Sequence, residues 1–218
     1  MRIPLLPADV RQNPELASAL AALTAPRPAP FDRPRIMGIV NVTPDSFSDG
    51  GQYREPQAAI AAGLAMVRAG AEIIDVGGES TRPGSSPVAA AEELRRVLPV
   101  VEGLARAGVW VSIDTRKAEV AAAAIAAGAR LVNDVSGLRF DPLLAEVVAK
   151  SDAFLIVTHS RGEPATMNRA PIYRACALEC FFELEDALAR AQRAGIAQQR
   201  LLADPGLGFA KKEPHNLD

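Results

Sequence analysis

The sequence predicts an α/β fold of the (β/α)8 TIM-barrel class, with about six βα units present in this chain. Three observations predict it. Short apolar runs alternate with longer segments of helical period along residues 35–218. The runs lack the in-out alternation of a half-exposed strand, so both faces are covered, as in a parallel sheet under helices. No Gly-rich phosphate turn follows the first run, where Asn41-Val42-Thr43-Pro44 stands instead, and that disfavours an open nucleotide-binding sheet.

Taken in order, residues 1–34 carry Pro4, Pro7, Pro14, Pro26, Pro28, Pro30 and Pro34 and read as a leader with one short helix over 15–23, an appendage to the fold. The barrel domain is predicted over 35–218. Its strands are expected at 36–40, 72–76, 109–113, 130–133, 153–157 and 200–203. The helices between them carry matching punctuation. Pro56 stands at a first-turn position and Gly70 past the end of the first; Ser86-Pro87 and Gly108 bracket the second; Asp141-Pro142 precedes a later one. At about 30 residues per unit, the chain beyond the leader suffices for about six units, and two of the eight are missing.

Composition narrows the partners. With 24 Lys and Arg against 26 Asp and Glu, dispersed along 218 residues, the net charge of −2 leaves no basic footprint for nucleic acid or an anionic membrane. An apolar share of 49% is too high for intrinsic disorder. No apolar run approaches the roughly 18 residues of a membrane span, and the Pro-broken start is too short for a secretory signal, so a cytoplasmic protein is expected. Cys176 and Cys180, four apart on a helical pattern, read as small packing side chains of a reducing compartment.

In a barrel the working residues lie at the carboxyl ends of the strands. Those positions hold Asn41, Asp75, Asp114, Asn133-Asp134, His159 after Thr158, and Asp204. Asp and Asn also begin turns and cap helices, so any single one carries little. Together they form a ring of carboxylates and amides without Cys or His clusters. Such a ring suits a flat heterocycle with adjacent N–H donors, or Mg²⁺ held through one or two oxygens.

Two segments carry a resemblance. NVTPDSFSDGG over 41–51 and GAEIIDVGGESTRPGS over 70–85 resemble the signature segments of dihydropteroate synthase. The similarity continues through Val111-Ser112-Ile113-Asp114-Thr115-Arg116, Leu131 to Gly137, His159-Ser160-Arg161-Gly162 with Pro164, Thr166 and Met167, and Asp204-Pro205-Gly206-Leu207-Gly208-Phe209. It covers the chain from about residue 35 onward.

The resemblance implies a transferase of folate biosynthesis that joins 6-hydroxymethyl-7,8-dihydropterin pyrophosphate to p-aminobenzoate, releasing pyrophosphate and 7,8-dihydropteroate. It implies pterin-binding roles for Asp114, Asn133 and Asp204, with the two acids offsetting charge as the C–O bond breaks. Asn41 matches the residue associated with Mg²⁺ at the pyrophosphate. Asp75 is expected to orient the adjacent loop, and Phe209 matches an aromatic near p-aminobenzoate. Two long loops are expected to close over the pocket: 43–51, which offers Thr43, Ser46 and Phe47, and 77–86, which offers Thr81 and Arg82. A homodimer is a common family assembly.

The family pattern continues past Asn216-Leu217 with S-R-K and R-V-H segments that this chain does not reach. The expectation is a piece of a longer synthase, poorly soluble alone because of two open strand edges. Lys211 belongs to the family's own G-F-[G/A]-K run and is not expected to replace the absent lysine. The alternative is a truncated, noncatalytic pterin-binding paralogue. A methyltetrahydrofolate-binding barrel is a further alternative, disfavoured because that class lacks the long NVTPDSFSDGG loop.

Overall fold

Each apolar run forms a strand, set one residue later than the run itself. A computed structural model describes residues 31, 33–43, 55–80, 87–162 and 172–217. The strands are β1 (Met37–Asn41), β2 (Ile73–Gly77), β3 (Trp110–Asp114), β4 (Leu131–Asp134), β5 (Phe154–Thr158) and β6 (Leu201–Asp204). One helix follows each: α1 (Glu55–Arg68), α2 (Ala90–Arg106), α3 (Ala118–Ala126), α4 (Leu144–Ala149), α5 (Cys176–Arg193) and α6 (Glu213–Leu217). Gly70 and Gly108 follow α1 and α2, as the punctuation predicts. The helix expected over 15–23 lies outside the described residues.

The six strands are parallel and lie side by side in chain order, β1-β2-β3-β4-β5-β6. A doubly wound sheet reverses its order at a switch point; this one does not, so the chain forms a singly wound arc of a barrel. Ile74, Val76, Val111, Ile113, Val132, Leu155 and Val157 point from the strands into the helical layer and are fully buried. At about 1.5–3 kcal/mol for each such side chain, this face supplies the main driving force. On α2, Glu93, Val97, Val100, Val101 and Leu104 recur at helical spacing and are buried. Gly103 of α2 lets α1 come close, since a Cβ there would lie 2.4 Å from Ile60 Cδ1.

The other face of the arc carries the polar residues. No pairing joins β1 to β6 among the described residues. Ile39, two residues before Asn41 on that inner face of β1, is accordingly 59% exposed. At the opposite, amino end of the strands Phe31 stacks on Phe154 at 5.7 Å between ring centroids and meets Trp110 edge-on at 6.0 Å. Phe31 thus rests against the amino end of the sheet. Cys176 and Cys180 are both free and buried on α5, with Sγ atoms 3.8 Å apart. No helix among the described residues is long and apolar enough to cross a membrane.

Candidate functional site

Strand register alone gathers the predicted residues. Asn41 pairs with Gly77, Gly77 with Asp114, and Asp114 with Asn133, so three polar side chains from β1, β3 and β4 stand in one row across the mouth. Paired residues of a parallel sheet face the same side, and side chains two apart on a strand share that side. Asp75 therefore stands two residues lower on the same face. Asp204 stands at the rim beside its register partner Thr158. A Cβ built on Gly77 would lie 3.4 Å from Asp114 Oδ2 and 3.5 Å from Asn41 Oδ1, which places both oxygens around one small space.

Hydrogen bonding then fixes what the site presents. Asn133 donates from Nδ2 to Asp75 Oδ2 at 3.0 Å, which turns its carbonyl oxygen outward. Asp75 is buried and engages this neighbour across the sheet; most of the loop it is expected to orient, residues 81–86, lies outside the described residues. Asp75 Oδ1, Ser112 Oγ, Asn133 Oδ1 and Thr158 Oγ1 are buried on this face without a well-formed partner among the described residues, and the Ser112 hydroxyl, opposite Asp75 in the sheet, works against the effect of burial on its carboxyl. Each buried polar atom left unpaired costs about 1–3 kcal/mol, a cost that a ligand with matching groups removes. Two of the four are pure acceptors and two are hydroxyls that can also accept, so a ligand rich in N–H matches them.

Burial raises the pKa of Asp75. Burial also raises Asp114 well above its ordinary value of 3.8, and the nearby acids Asp75, Glu93, Asp134 and Glu79 push it further in the same direction. Both shifts favour the neutral acid, and a cationic or N–H-rich ring placed beside them would act in the opposite direction.

Asp134 is turned away. Being next to an inward residue on the same strand it must face outward, and there Oδ1 accepts from Ser136 N at 2.8 Å and Oδ2 from Leu138 N at 2.6 Å. It organises its own loop. Asp204 Oδ1 accepts from Gly206 N at 2.7 Å, leaving Oδ2 for other partners. Phe209 lies half-buried on the loop after β6. Thr43 follows β1 and is half-buried, beyond Val42, which donates to Gly77 O at 2.7 Å. Ser46, Phe47, Thr81 and Arg82 lie outside the described residues.

The structure adds residues that spacing did not single out. Glu79, just past β2, accepts from Arg116 at 2.9 Å and from Lys117, which also binds the fully buried Glu93 of α2. Arg96 holds the Gly78 carbonyl at 2.9 Å. Three chain segments, the turn after β2, the helix α2 and the turn after β3, are thus tied together beside the mouth. Buried Lys211 lies next to His159. A charged residue in a helical or loop pattern reads as solvent-exposed, and nothing in the sequence marks these as internal.

A separate hollow of about 480 Å³ lies outside the mouth, between the β4 loop and α5. Its arginines are already engaged: Arg139 with Ser136 O, Arg161 with Glu179 and Glu183, Arg190 with Asp186 and Gly137 O. Thr158 borders it as well, but Asp75 and Asn133 do not.

This pattern of acceptors from four strands meets a direct comparison. The sequence profile of the family described as pterin binding enzyme matches residues 37–218. The chain belongs to the pterin-binding enzyme family. It is similar to the dihydropteroate synthase of Escherichia coli strain K12, with 46% identity over 187 residues, 85% of this chain and 66% of that protein. A solved structure of Xanthomonas albilineans dihydropteroate synthase with 4-aminobenzoic acid matches with a TM-score of 0.79 and 46% identity, covering 85% of this chain and 66% of that one. The same enzyme in complex with 7,8-dihydropteroate matches with a TM-score of 0.74 and 43% identity, covering 85% of this chain and 65% of that one. The chain spans just under two thirds of the length of these family members.

Proposed function

We propose that this pterin-binding chain carries the pterin-gripping part of a dihydropteroate synthase. The reaction would join 6-hydroxymethyl-7,8-dihydropterin pyrophosphate to p-aminobenzoate in folate biosynthesis. The observation that supports it most is the convergence of Asp75, Asp114 and Asn133 on one face, with acceptor oxygens left unpaired. A pterin pyrimidine edge presents adjacent N–H groups, the complement of such acceptors. The relatives solved with 4-aminobenzoic acid and 7,8-dihydropteroate supply the second substrate and the product.

The chemistry is a displacement at the pterin methylene. The aniline nitrogen forms the new C–N bond, the C–O bond breaks, pyrophosphate leaves with the electron pair, and the aniline loses a proton. The residues need only orient the ring and offset the positive charge that builds on it, a task for Asp114 and Asp204 as carboxylates. Asn133 presents an acceptor because Asp75 holds its amide. Thr81, Arg82, Thr43, Ser46, Phe47 and Phe209 are the candidates for the aromatic acid and the leaving group.

Magnesium fits in a limited way. Among the described residues no three His, Cys, Asp or Glu side chains group as a metal site. An amide oxygen from Asn41 suits a hard cation that keeps most of its waters and takes its remaining oxygens from a diphosphate. Such an ion, when bound, would neutralise charge on the departing pyrophosphate. The same reading places the protein in the cytoplasm and makes a homodimer a candidate assembly.

The test is pyrophosphate release by the purified chain given both substrates, with pterin binding measured in parallel. Release that depends on p-aminobenzoate supports the whole reading. Binding without release assigns the grip here and turnover to residues that the longer relatives possess. No binding of the pterin pyrophosphate at millimolar concentration would overturn it.

A further inference from the structure

We propose that Lys211 is a positioning residue for the pterin site: it pins the loop of residues 205–210 onto the end of β5, and so sets where the Asp204 carboxylate and the Phe209 ring stand. This rests on the pterin reading above.

The geometry is specific. Lys211 is only 6% exposed. Its Nζ lies 2.8 Å from His159 Nδ1, 3.0 Å from Gly206 O and 3.1 Å from Phe209 O, with His159 O at 3.4 Å. An ammonium carries three N–H donors, and the three short contacts absorb them all. No donor is left for a substrate, so Lys211 does not act at the mouth directly. It acts on the loop, because two of its acceptors are carbonyls of that loop and the others belong to the residue just past β5.

The loop is shaped to accept this clamp. Gly206 has φ of +66°, and a Cβ there would stand 2.0 Å from His159 O, so the chain crosses His159 at a distance only glycine permits. Ala210 has φ of +51°, a left-handed conformation costly for a residue with a Cβ. That turn immediately precedes Lys211. Asp204 Oδ1 takes the Gly206 N–H at 2.7 Å, and His159 N donates to Asp204 O at 2.9 Å, so the clamped loop is bonded to the carboxylate it follows.

The clamp also dictates a proton position. Facing an ammonium, His159 Nδ1 must be an acceptor, so the ring proton sits on Nε2 and points to Glu183 Oε2 at 3.0 Å. A buried ammonium with no carboxylate bonded to it is expensive, and an apolar chain of equal length would fill the same volume more cheaply. Positioning of Asp204 and Phe209 is what the charge supplies.

The test combines a binding cycle with a spectroscopic readout. Binding of 6-hydroxymethyl-7,8-dihydropterin pyrophosphate is measured by calorimetry for the wild type, Lys211→Met, Asp204→Asn and the double variant. Lys211→Met weakens binding about tenfold when Asp204 is present and has little effect in the Asp204→Asn background, the mark of a residue acting through its neighbour. Additive effects, or unchanged affinity in Lys211→Met, overturn the proposal. With only two histidines in the chain, ¹⁵N spectra of the wild type identify the His159 tautomer without any variant. A proton on Nε2 alone is expected, and a proton on Nδ1 at neutral pH overturns the clamp even if Lys211→Met fails to fold. A wild type that binds no pterin defeats the functional reading, and the tautomer then decides the clamp by itself.

Discussion

Asn133 and Asp75, 58 residues apart in the chain, share a hydrogen bond of 3.0 Å across the inner face of the sheet. This bond decides which end of the Asn133 amide meets a ligand. Replacing Asp75 with Ala leaves the amide N–H unsatisfied and the side chain free to turn over, at a cost of about 1–3 kcal/mol. Pterin affinity measured by calorimetry is expected to fall by roughly tenfold or more, with far-ultraviolet circular dichroism unchanged.

Asp114 provides a pH prediction whose sign follows from linkage. Its pKa is raised in the folded protein, chiefly by burial, so the fold binds its proton more tightly than the unfolded chain does. Stability of the ligand-free protein therefore declines as pH rises from about 4, near the unfolded value, through the raised folded value. Asp114→Asn removes that part of the slope and raises Tm at neutral pH by roughly 2–4 °C. Pterin affinity runs the other way, strengthening in the wild type as the acid ionises and losing this dependence in the variant. Thermal melts and titrations from about pH 4 to about pH 8 check both.

Lys117 holds Glu93, which is fully buried on α2, as well as Glu79 beside the mouth. Removing one partner of such a pair strands a buried charge, at about 3–5 kcal/mol. Lys117→Met is expected to lower the urea midpoint accordingly, and Lys117→Met combined with Glu93→Leu to recover much of the loss. An unchanged midpoint in the single variant would show that the network carries no stability.

Much of this architecture is legible in the residues, for reasons that also explain the errors. Every strand begins and ends one residue later than its apolar run. Ile36 and Glu72 stand just before the ladder, whereas Asn41, Gly77, Asp114, Asp134, Thr158 and Asp204 belong to it, because backbone pairing takes no account of side-chain polarity. The polar residue that seems to terminate a strand is its last rung, and alternation along the strand decides whether it faces the mouth. Asn133 and Asp134 appear equivalent in the sequence, yet neighbouring residues of a strand face opposite sides, and only Asn133 reaches the ligand face. Lys211, Lys117 and Glu93 were not legible, since what draws a charge inward is a partner distant in the chain. The open choice between doubly wound sheet and barrel rested on one absent motif, and the unreversed strand order settles it.

Pterin binding requires the inner-face oxygens to meet a ring rich in N–H, and one titration addresses that directly. Calorimetric binding of 6-hydroxymethyl-7,8-dihydropterin pyrophosphate to the chain is compared with binding to Asn133→Leu, which keeps the size of the side chain and removes its unpaired acceptor. One site in the wild type and a loss of about 10–100-fold in the variant are predicted, the range expected for a hydrogen bond in a desolvated site. Equal affinity in the two proteins would contradict it.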